Sequence, residues 1–209
     1  MTSEWQSVEH ALGYLRRAAT IPRRTEGEAT LLEELPVATR RVLDLGTGDG
    51  RLLALVLTAR PDATGVALDF SPTMLEKARA RFAGDGRVRV VAHDLDRPLP
   101  DLGTFDAVVS SAAIHHLTHE RKRELYAEVW RVLGPGGAFA NLEHVSSPTP
   151  RLHRRFYEFL GVPLEDEDPS NKLLDVETQL GWLRAIGFAD VDCYWKWREL
   201  ALLIGHKGG

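Results

Sequence analysis

The residues of this chain that could do chemistry lie mainly where predicted strands end. Gly46, Gly48 and Gly50 follow the apolar run at residues 41–45. Because glycine has no Cβ, a turn of this kind lets the backbone approach a ligand closely. The spacing is G-x-G-x-G and differs from the G-x-G-x-x-G of dinucleotide-binding enzymes. The turn predicts a ligand-binding loop without identifying the ligand.

Acidic and hydroxyl side chains occur at the ends of three further predicted strands. Asp69 ends the second strand, 19 residues after Gly50, and Asp94 and Ser110 follow the third and fourth strands. In an α/β sheet the carboxyl ends of the parallel strands border one crevice, where ligands bind. An acid at the end of the second strand is placed to accept hydrogen bonds from a ribose diol. We therefore expect these side chains and the glycine turn to converge on one ligand that contains a ribose.

Histidines are the candidate general bases, because the unperturbed pKa of imidazole, roughly 6.5, lies near neutral pH. His115 and His116 follow the fourth predicted strand, and His144 follows the fifth. His153 and Tyr157 are spaced i, i+4 and would share one face of the next helix. We expect one of His116, His144 and His153 to contact the substrate as the catalytic base. Tyr157 is expected to help bind that substrate.

The same region does not specify a metal site. His115, His116, His119 and Glu120 lie close together where a loop leads into a predicted helix. A stable site needs ligands in a defined geometry, and no second ligand cluster is apparent elsewhere in the sequence. We therefore expect no metal.

The elements that position these residues alternate between strand and helix from Arg41 onward. Alternation of this kind is typical of a parallel sheet that is covered by helices on both faces. Ser71 is expected to cap the helix that begins at Pro72. We predict strands over residues 41–45, 63–68, 88–92, 105–109, 138–143, 190–197 and 199–204. We predict further helices near residues 52–60, 119–133, 151–160 and 176–186.

Length and composition predict an ordinary globular protein. The chain has 209 residues, of which 44% are hydrophobic and 27% are charged, and this length suits one domain with a substantial core. We expect one domain over residues 1–209, with a helical cap at 1–40 and a helical insertion on the substrate side at 144–187. The single cysteine, Cys193, excludes a disulfide framework, so that we expect a cytoplasmic protein.

Charge and hydropathy narrow the expected partners. The formal net charge is -4, so the chain has no overall electrostatic attraction for nucleic acid. No apolar stretch is long enough to cross a membrane. The expected partner is therefore a small-molecule acceptor, with neither a membrane nor a nucleic acid, and the sequence allows a homodimer.

The ordered set of motifs resembles the class I S-adenosylmethionine-dependent methyltransferases, over roughly residues 23–205. Its strongest parts are VLDLGTGDG at 42–50 and LDFSPTML at 68–75. The set is completed by AHDL at 92–95, FDAVVS at 105–110, IHHL at 114–117 and LGPGG at 133–137. The resemblance implies an α/β fold with a doubly wound, mostly parallel seven-stranded sheet, helices on both faces and an antiparallel last strand. It also implies in-line transfer of a methyl group from S-adenosylmethionine.

The resemblance further implies which residues bind this cofactor. Asp69 would bind the ribose hydroxyls, and Phe70 would pack on the adenine, whose edge Asp94 and the backbone of Leu95 would contact. The glycine turn would border the methionine portion, and Arg24 would clamp the carboxylate through two hydrogen bonds. The residues implied in this way are Arg24, Asp44, Gly46, Thr47, Gly48, Asp69, Phe70, Met74, Asp94, Leu95, Ser110 and Ser111.

Four other functions remain open from sequence. The chain could methylate tRNA or another nucleic acid, although no stripe of basic and aromatic residues supports this. Residues 187–195 are similar to the carboxy-S-adenosylmethionine synthases of tRNA modification. A nicotinamide dehydrogenase is disfavoured by the glycine spacing. Finally, the motifs report binding rather than turnover, so a non-catalytic cofactor-binding protein is compatible with them.

Overall fold

The computed structural model describes residues 7–18 and 21–209, which include one seven-stranded sheet. All seven predicted strands are present. Their bounds are β1 (Arg41–Leu45), β2 (Thr64–Asp69), β3 (Val88–Ala92), β4 (Phe105–Ser111), β5 (Leu133–His144), β6 (Ala189–Trp197) and β7 (Leu200–His206).

Strand β5 begins at Leu133 rather than at residue 138 as predicted, because the glycine-rich segment 134–137 forms part of the strand. Leu133 still pairs with Phe105 of β4, and the register shifts before Ala107 pairs with Ala138. Lys207 donates its backbone N–H to Gly137 and accepts one from Gly136, which satisfies the backbone of this irregular stretch. The glycine-rich segment is therefore a local irregularity inside the strand.

Seven helices are described around the sheet. They are α1 (Val8–Ala18), α2 (Arg24–Glu34), α3 (Arg51–Ala59), α4 (Pro72–Arg81), α5 (His119–Val132), α6 (Pro150–Leu160) and α7 (Val176–Ile186). Local sequence explains several of their starts, because Thr118, Thr149 and Asp175 each accept a backbone N–H of the following helix. Two short 3-10 helices, Ile114–His116 and Leu164–Asp166, lie in the loops.

The strand order β3-β2-β1-β4-β5-β7-β6 confirms the doubly wound, mostly parallel sheet. Only β7 runs against its neighbours, pairing antiparallel with both β5 and β6. From β1 the chain adds β2 and β3 on one side of the sheet and β4 and β5 on the other. This switch between the parallel strands β1 and β4 places a crevice at their carboxyl ends. The ligand-binding residues predicted at those ends are therefore brought to one place.

Two apolar layers hold the helices on the sheet. On one face Leu125 of α5 and Leu183 of α7 are fully buried against the strands. On the other face Leu31 of α2 and Leu53 of α3 are fully buried as well. Burial of both faces explains why the central strands are continuous apolar runs rather than alternating ones. These layers give the crevice a rigid floor.

The capping role predicted for Ser71 is wrong in its chemistry. Ser71 precedes α4, but its hydroxyl makes no capping hydrogen bond. Its backbone N–H instead donates to Asp69 Oδ1 over 2.8 Å. The carboxylate that ends β2 therefore fixes the turn before α4 but does not cap the helix.

The ranges predicted as a cap and as an insertion both contain helices. Of the predicted cap, residues 1–6, 19 and 20 lie outside the described part of the chain. Helix α1 packs on α4 through Ala11 and Met74. After β5, residues 144–187 contain α6 and α7, and the loop between these helices reaches the 3-10 helix Ile114–His116.

Candidate active site

A cavity of about 510 Å³ lies at the carboxyl ends of β1, β2 and β4. Its volume is within the range of small-molecule sites. Most of the predicted cofactor-binding residues, together with one predicted catalytic residue, line its wall. They are Arg24, Asp44, Gly46, Thr47, Gly48, Asp69, Phe70, Met74, Ser111 and His116.

The glycine turn and Asp69 form one hydrogen-bonded unit. Gly48 donates its backbone N–H to Asp69 Oδ2 over 2.9 Å, and Thr47 donates its own to the carbonyl of Leu68 over 2.8 Å. Gly46 and Gly48 have φ values of +66° and +58°, which residues with a Cβ rarely adopt. A Cβ on Gly46 would lie 2.3 Å from that of Ala113, whereas one on Gly48 would meet no atom within 4 Å. Gly48 therefore faces open space, as close approach by a ligand requires.

Two buried carboxylates lie beneath this turn. Burial raises the pKa of Asp69 to about 6, although hydrogen bonds from the backbone of Ser71 and Gly48 oppose the shift. Burial also raises the pKa of Asp44 to about 7, opposed by a 2.6 Å hydrogen bond from Thr47 and reinforced by the charge of Asp69. Both carboxyls therefore bind protons more readily in the folded chain than in the unfolded one.

Replacement of Asp44 by asparagine is expected to stabilise the protein at pH 8 by about 2–4 kcal/mol, because the folded state no longer holds a buried charge. The advantage shrinks as the pH falls from the folded pKa of about 7 toward the ordinary value of 3.8. The carboxyl becomes neutral in that range and its own cost disappears. Urea unfolding at pH 5 and pH 8 measures the difference. Asp101→Asn, at an exposed position, is the control, and an equal gain in both variants would contradict the explanation.

The apolar side of the cavity is closed by helices α1 and α4. Phe70 and Met74 pack with Ala11 and Leu15 of α1 in a small separate cluster. Phe70, Met74 and Leu15 also line the cavity. This side offers flat, apolar contact, which suits a purine ring better than a charged group.

Arg24 belongs to a charge network that sequence reasoning did not identify. Its Nε donates to Glu28 Oε1 over 2.9 Å, and Arg51 donates to the same oxygen. Glu28 is buried, and both arginines line the cavity. One carboxylate thus holds two guanidinium groups at the cavity wall, and guanidinium groups suit a ligand carboxylate. The position of Arg51, directly after the glycine turn, was a signal for its role.

Three further charged cavity residues also lacked a sequence assignment. Asp49 and Arg81 line the cavity and form an ion pair of 2.5 Å. Lys77 of α4 lines it as well. Arg81 and Lys77 lie on the exposed part of a helix in the sequence pattern, where charged residues are common for solubility alone. Only the fold shows that this face of α4 borders the crevice.

Three predicted cofactor residues do not line the cavity. Ser110 is fully buried, and its hydroxyl donates to the carbonyl of Leu45 over 2.9 Å, which ties β4 to β1. Leu95 is also fully buried, and its carbonyl accepts from Arg121 Nε over 2.7 Å. Asp94 accepts the backbone N–H of Asp96 over 3.0 Å. Asp94 and Leu95 therefore stabilise the loop after β3, and Ser110 stabilises the pairing of β4 with β1.

The predicted catalytic histidines occupy two separate places. His116 lines the cavity, and its Nδ1 lies 2.8 Å from the hydroxyl of Ser170. His144 and His153 lie outside the cavity wall, where both approach the buried Glu199 over 3.0 Å. The structure therefore brings only His116 of the three to the same cavity as the glycine turn.

Tyr157 lies with His144 and His153, outside the cavity wall. It is buried, its ring packs on that of His153 with the centroids 5.1 Å apart, and burial raises the pKa of its hydroxyl. His153 Nε2 also contacts Glu167 over 3.1 Å. Tyr157 does not line the cavity. It does share a helix face with His153, as predicted, and this face is directed at Glu167 and Glu199.

A strained backbone position adjoins His116. Ala112 has a φ of +51°, lines the cavity and donates its N–H to the carbonyl of Leu142 over 2.9 Å. Such a conformation in a residue with a Cβ costs of order 1 kcal/mol and occurs preferentially at functional sites. Sequence carries no signal for it, since alanine does not favour positive φ. It turns the chain from β4 into the 3-10 helix that carries His116.

Within the described ranges 7–18 and 21–209, no group of three or more histidine, cysteine, aspartate or glutamate side chains is arranged to hold a metal ion. Within the same ranges, no helix combines the length and the hydropathy needed to cross a membrane.

The sequence is similar to known methyltransferases. Residues 42–137 match a family model described as a methyltransferase domain. The chain is 36% identical over 186 residues to a demethylmenaquinone methyltransferase of Clavibacter sepedonicus, covering 78% of this chain and 71% of the relative. It is 30% identical over 213 residues to a trans-aconitate 2-methyltransferase of Methylobacterium nodulans, covering 99% of this chain and 76% of the relative.

The fold is also found among solved structures. Human N-acetylserotonin methyltransferase in complex with S-adenosylmethionine superposes with a TM-score of 0.70 at 17% sequence identity. The match covers 98% of this chain and 58% of the human chain, so that this chain spans less than two thirds of that structure. At this identity the likeness concerns the fold alone.

Proposed function

We propose that this chain, which belongs to the class I S-adenosylmethionine-dependent methyltransferases, methylates a small organic acceptor that loses a proton in the reaction. The chain is a transferase, and its methyl donor is S-adenosylmethionine. The finer proposal concerns the acceptor, which we take to be a hydroxyl, an enol or an activated carbon. One observation carries it: His116 lines the same cavity as the glycine turn and Asp69.

The residues of the cavity fit this cofactor. Asp69 can accept hydrogen bonds from the ribose hydroxyls, and Gly48 faces open space into which the ligand can extend. The guanidinium groups of Arg24 and Arg51 suit the carboxylate, and Phe70 offers an apolar face to the adenine. We propose no direct cofactor contact for Ser110 or for the side chain of Leu95, both of which are fully buried.

The chemistry needs positioning and at most one proton transfer. When bound, S-adenosylmethionine supplies an electrophilic methyl group, whose in-line transfer depends mainly on alignment and on exclusion of water. An acceptor hydroxyl, enol or acidic carbon must also lose a proton, and His116 is the base that we propose. Burial and the neighbouring His115 lower the pKa of His116, so that its ring is neutral at neutral pH and able to accept a hydrogen bond.

Specificity for the acceptor is proposed to lie outside the common sheet. The relatives are named for a quinone and for a carboxylic acid, which supports a small molecule and leaves its identity open. We propose that the predicted cap at 1–40 and the insertion at 144–187 select it, since α1 contributes Leu15 to the cavity and the insertion contributes the contact of Ser170 to His116. The cytoplasmic location and the homodimer stay predictions.

The proposal is tested by following formation of S-adenosylhomocysteine with purified protein. Reduced demethylmenaquinone, trans-aconitate and bulk tRNA are offered separately, with a reaction that lacks acceptor as the blank. Turnover with either small molecule supports the proposal. Turnover with tRNA alone would replace it by nucleic-acid methylation. Binding of the cofactor without turnover on these acceptors or on a panel of phenols and enolic acids would overturn it in favour of a binding protein.

A further inference from the structure

We propose that Asp168 and Ser170 are positioning residues for His116, forming a hydrogen-bonded chain that keeps its Nδ1 protonated and makes Nε2 the nitrogen that accepts the proton of the methyl acceptor. The inference rests on the proposed function of His116. It concerns two residues of the loop between α6 and α7, to which the motifs of the sequence assign no role.

The direction of each hydrogen bond follows from the chemistry of the three groups. Ser170 Oγ lies 2.7 Å from Asp168 Oδ1 and 2.8 Å from His116 Nδ1. A carboxylate can only accept, and a hydroxyl carries one hydrogen. Ser170 therefore donates to Asp168, and His116 Nδ1 must donate to Ser170. A neutral imidazole has one N–H, so Nε2 is then the accepting nitrogen.

The charge states agree with this assignment. Burial by itself raises the pKa of Asp168, but the hydrogen bonds from the hydroxyl and the backbone N–H of Ser170 lower it overall. Asp168 is therefore ionised at neutral pH. Burial and His115 lower the pKa of His116, which keeps its ring neutral. The ionised carboxylate of Asp168 at one end and the neutral imidazole of His116 at the other define the direction of both hydrogen bonds.

The loop that carries the chain is fixed to the backbone beside His116. Ser170 is buried and donates its own N–H to Asp168 Oδ1 over 2.9 Å. Lys172 donates its backbone N–H to the carbonyl of His115, and its Nζ to the carbonyl of His116, both over 2.9 Å. Because both the ring and the backbone of His116 are held by this one loop, small displacements of the loop would be transmitted to the base.

Asp168 also connects the hydrogen-bonded residues Ser170 and His116 with helix α1. His10 Nε2 lies 3.3 Å from Asp168 Oδ2, which is an ion-pair distance. The same helix contributes Leu15 to the cavity wall. The carboxylate that orients the base is thus in contact with the helix that covers the cofactor side of the crevice, so that cap, insertion and base meet at one residue.

Three other histidines, one buried and two partly buried, do not offer an equivalent arrangement in the cavity. His115 pairs with Glu143 over 2.6 Å, and His144 and His153 share Glu199. None of these three histidines lines the cavity wall. In each of these three cases a carboxylate contacts the histidine directly, whereas His116 contacts Asp168 through the hydroxyl of Ser170.

The tautomer can be observed without any acceptor. Long-range ¹H–¹⁵N correlation spectra of histidine-labelled protein distinguish Nδ1–H from Nε2–H rings, and His116→Gln identifies the signal. We expect the Nδ1–H form in the wild type. Ser170→Ala and Asp168→Asn should shift His116 toward the Nε2–H form, and Ser170→Thr should restore the Nδ1–H form. Asn171→Ala, which changes the same loop at a residue bonded to Glu167, should have no effect. An Nε2–H ring in the wild type would overturn the inference.

Kinetics separate this inference from the proposed function. On whichever of reduced demethylmenaquinone and trans-aconitate is methylated, Ser170→Ala should lower kcat about 10- to 100-fold with KM for S-adenosylmethionine nearly unchanged, because the ring remains but in the wrong tautomer. If the spectra show the expected tautomers and His116→Gln keeps full turnover, the positioning chain stands and the catalytic role fails. If Ser170→Ala shifts the tautomer while kcat is unchanged, the positioning role is wrong.

Discussion

Asparagine in place of Asp69 is expected to weaken binding of S-adenosylmethionine about 100-fold. Loss of a charge-assisted hydrogen bond to a ribose hydroxyl costs about 1.5–3 kcal/mol. A further loss is expected because Asp69 also anchors the N–H groups of Gly48 and Ser71, which shape the turn. Calorimetric titration measures the affinity, with NAD as a ligand control and Asp101→Asn as a variant outside the cavity. Wild-type affinity in the variant would contradict the assignment of the ribose subsite.

The same carboxylate predicts how this affinity depends on pH. The pKa of Asp69 is about 6, so that the carboxyl becomes protonated as the pH decreases through that value. A neutral carboxyl accepts hydrogen bonds more weakly, and affinity should therefore fall between pH 7 and pH 5. Asp44→Asn removes the other titrating carboxyl of this wall. The affinity of this variant for S-adenosylmethionine should still depend on pH, although less strongly than that of the wild type. If Asp69→Asn retained the full dependence, Asp69 would not be its cause.

Glutamine in place of His116 is expected to lower kcat about 100-fold, which is typical for loss of a general base. The affinity for S-adenosylmethionine should change by less than about threefold, because the cofactor is held mainly by the turn and by Asp69. Initial rates of S-adenosylhomocysteine formation measure kcat, and calorimetry measures the affinity. His153→Gln is the matched control, because His153 bonds Glu199 and Glu167 outside the cavity.

The outcome of this comparison discriminates between the candidate bases. Unchanged kcat in His116→Gln together with a large loss in His153→Gln would move the acceptor site to the cluster around Glu199. Equal losses in both variants, accompanied by lower melting temperatures, would indicate a structural effect instead. Only a selective loss in His116→Gln, with the fold intact, supports the proposed base.

The cofactor side of the cavity could largely be predicted, because its residues follow directly from strand ends. Gly46, Gly48 and Asp69 lie within a few residues of a predicted strand terminus, and parallel strands bring those termini to one edge. Ser110 shows the limit of this reasoning. It too ends a strand segment, but side chains alternate between the two sides of a strand, and its hydroxyl bonds the neighbouring strand instead.

The acceptor side could not be predicted to the same extent. His116, His144 and His153 are equivalent in sequence, since each follows a predicted strand or lies near the start of a predicted helix. Their separation depends on the path of the loop after β5, which no periodicity describes. The charge pair of Arg51 with Glu28 escaped prediction for a similar reason, because its residues lie on two different helices.

The sequence by itself therefore determined the fold class and the ligand-binding turn, since these depend on local patterns: alternation of strands with helices, glycine where the backbone needs positive φ, and an acid at the end of β2. The identity of the cofactor came from the resemblance of the ordered motifs to the methyltransferases. Tertiary structure alone decided which histidine reaches the cavity and what holds it there. His116 and Ser170 are 54 residues apart in the chain. A hydrogen bond over that separation leaves no local signal, because it forms only when the loop after α6 packs against the end of β4.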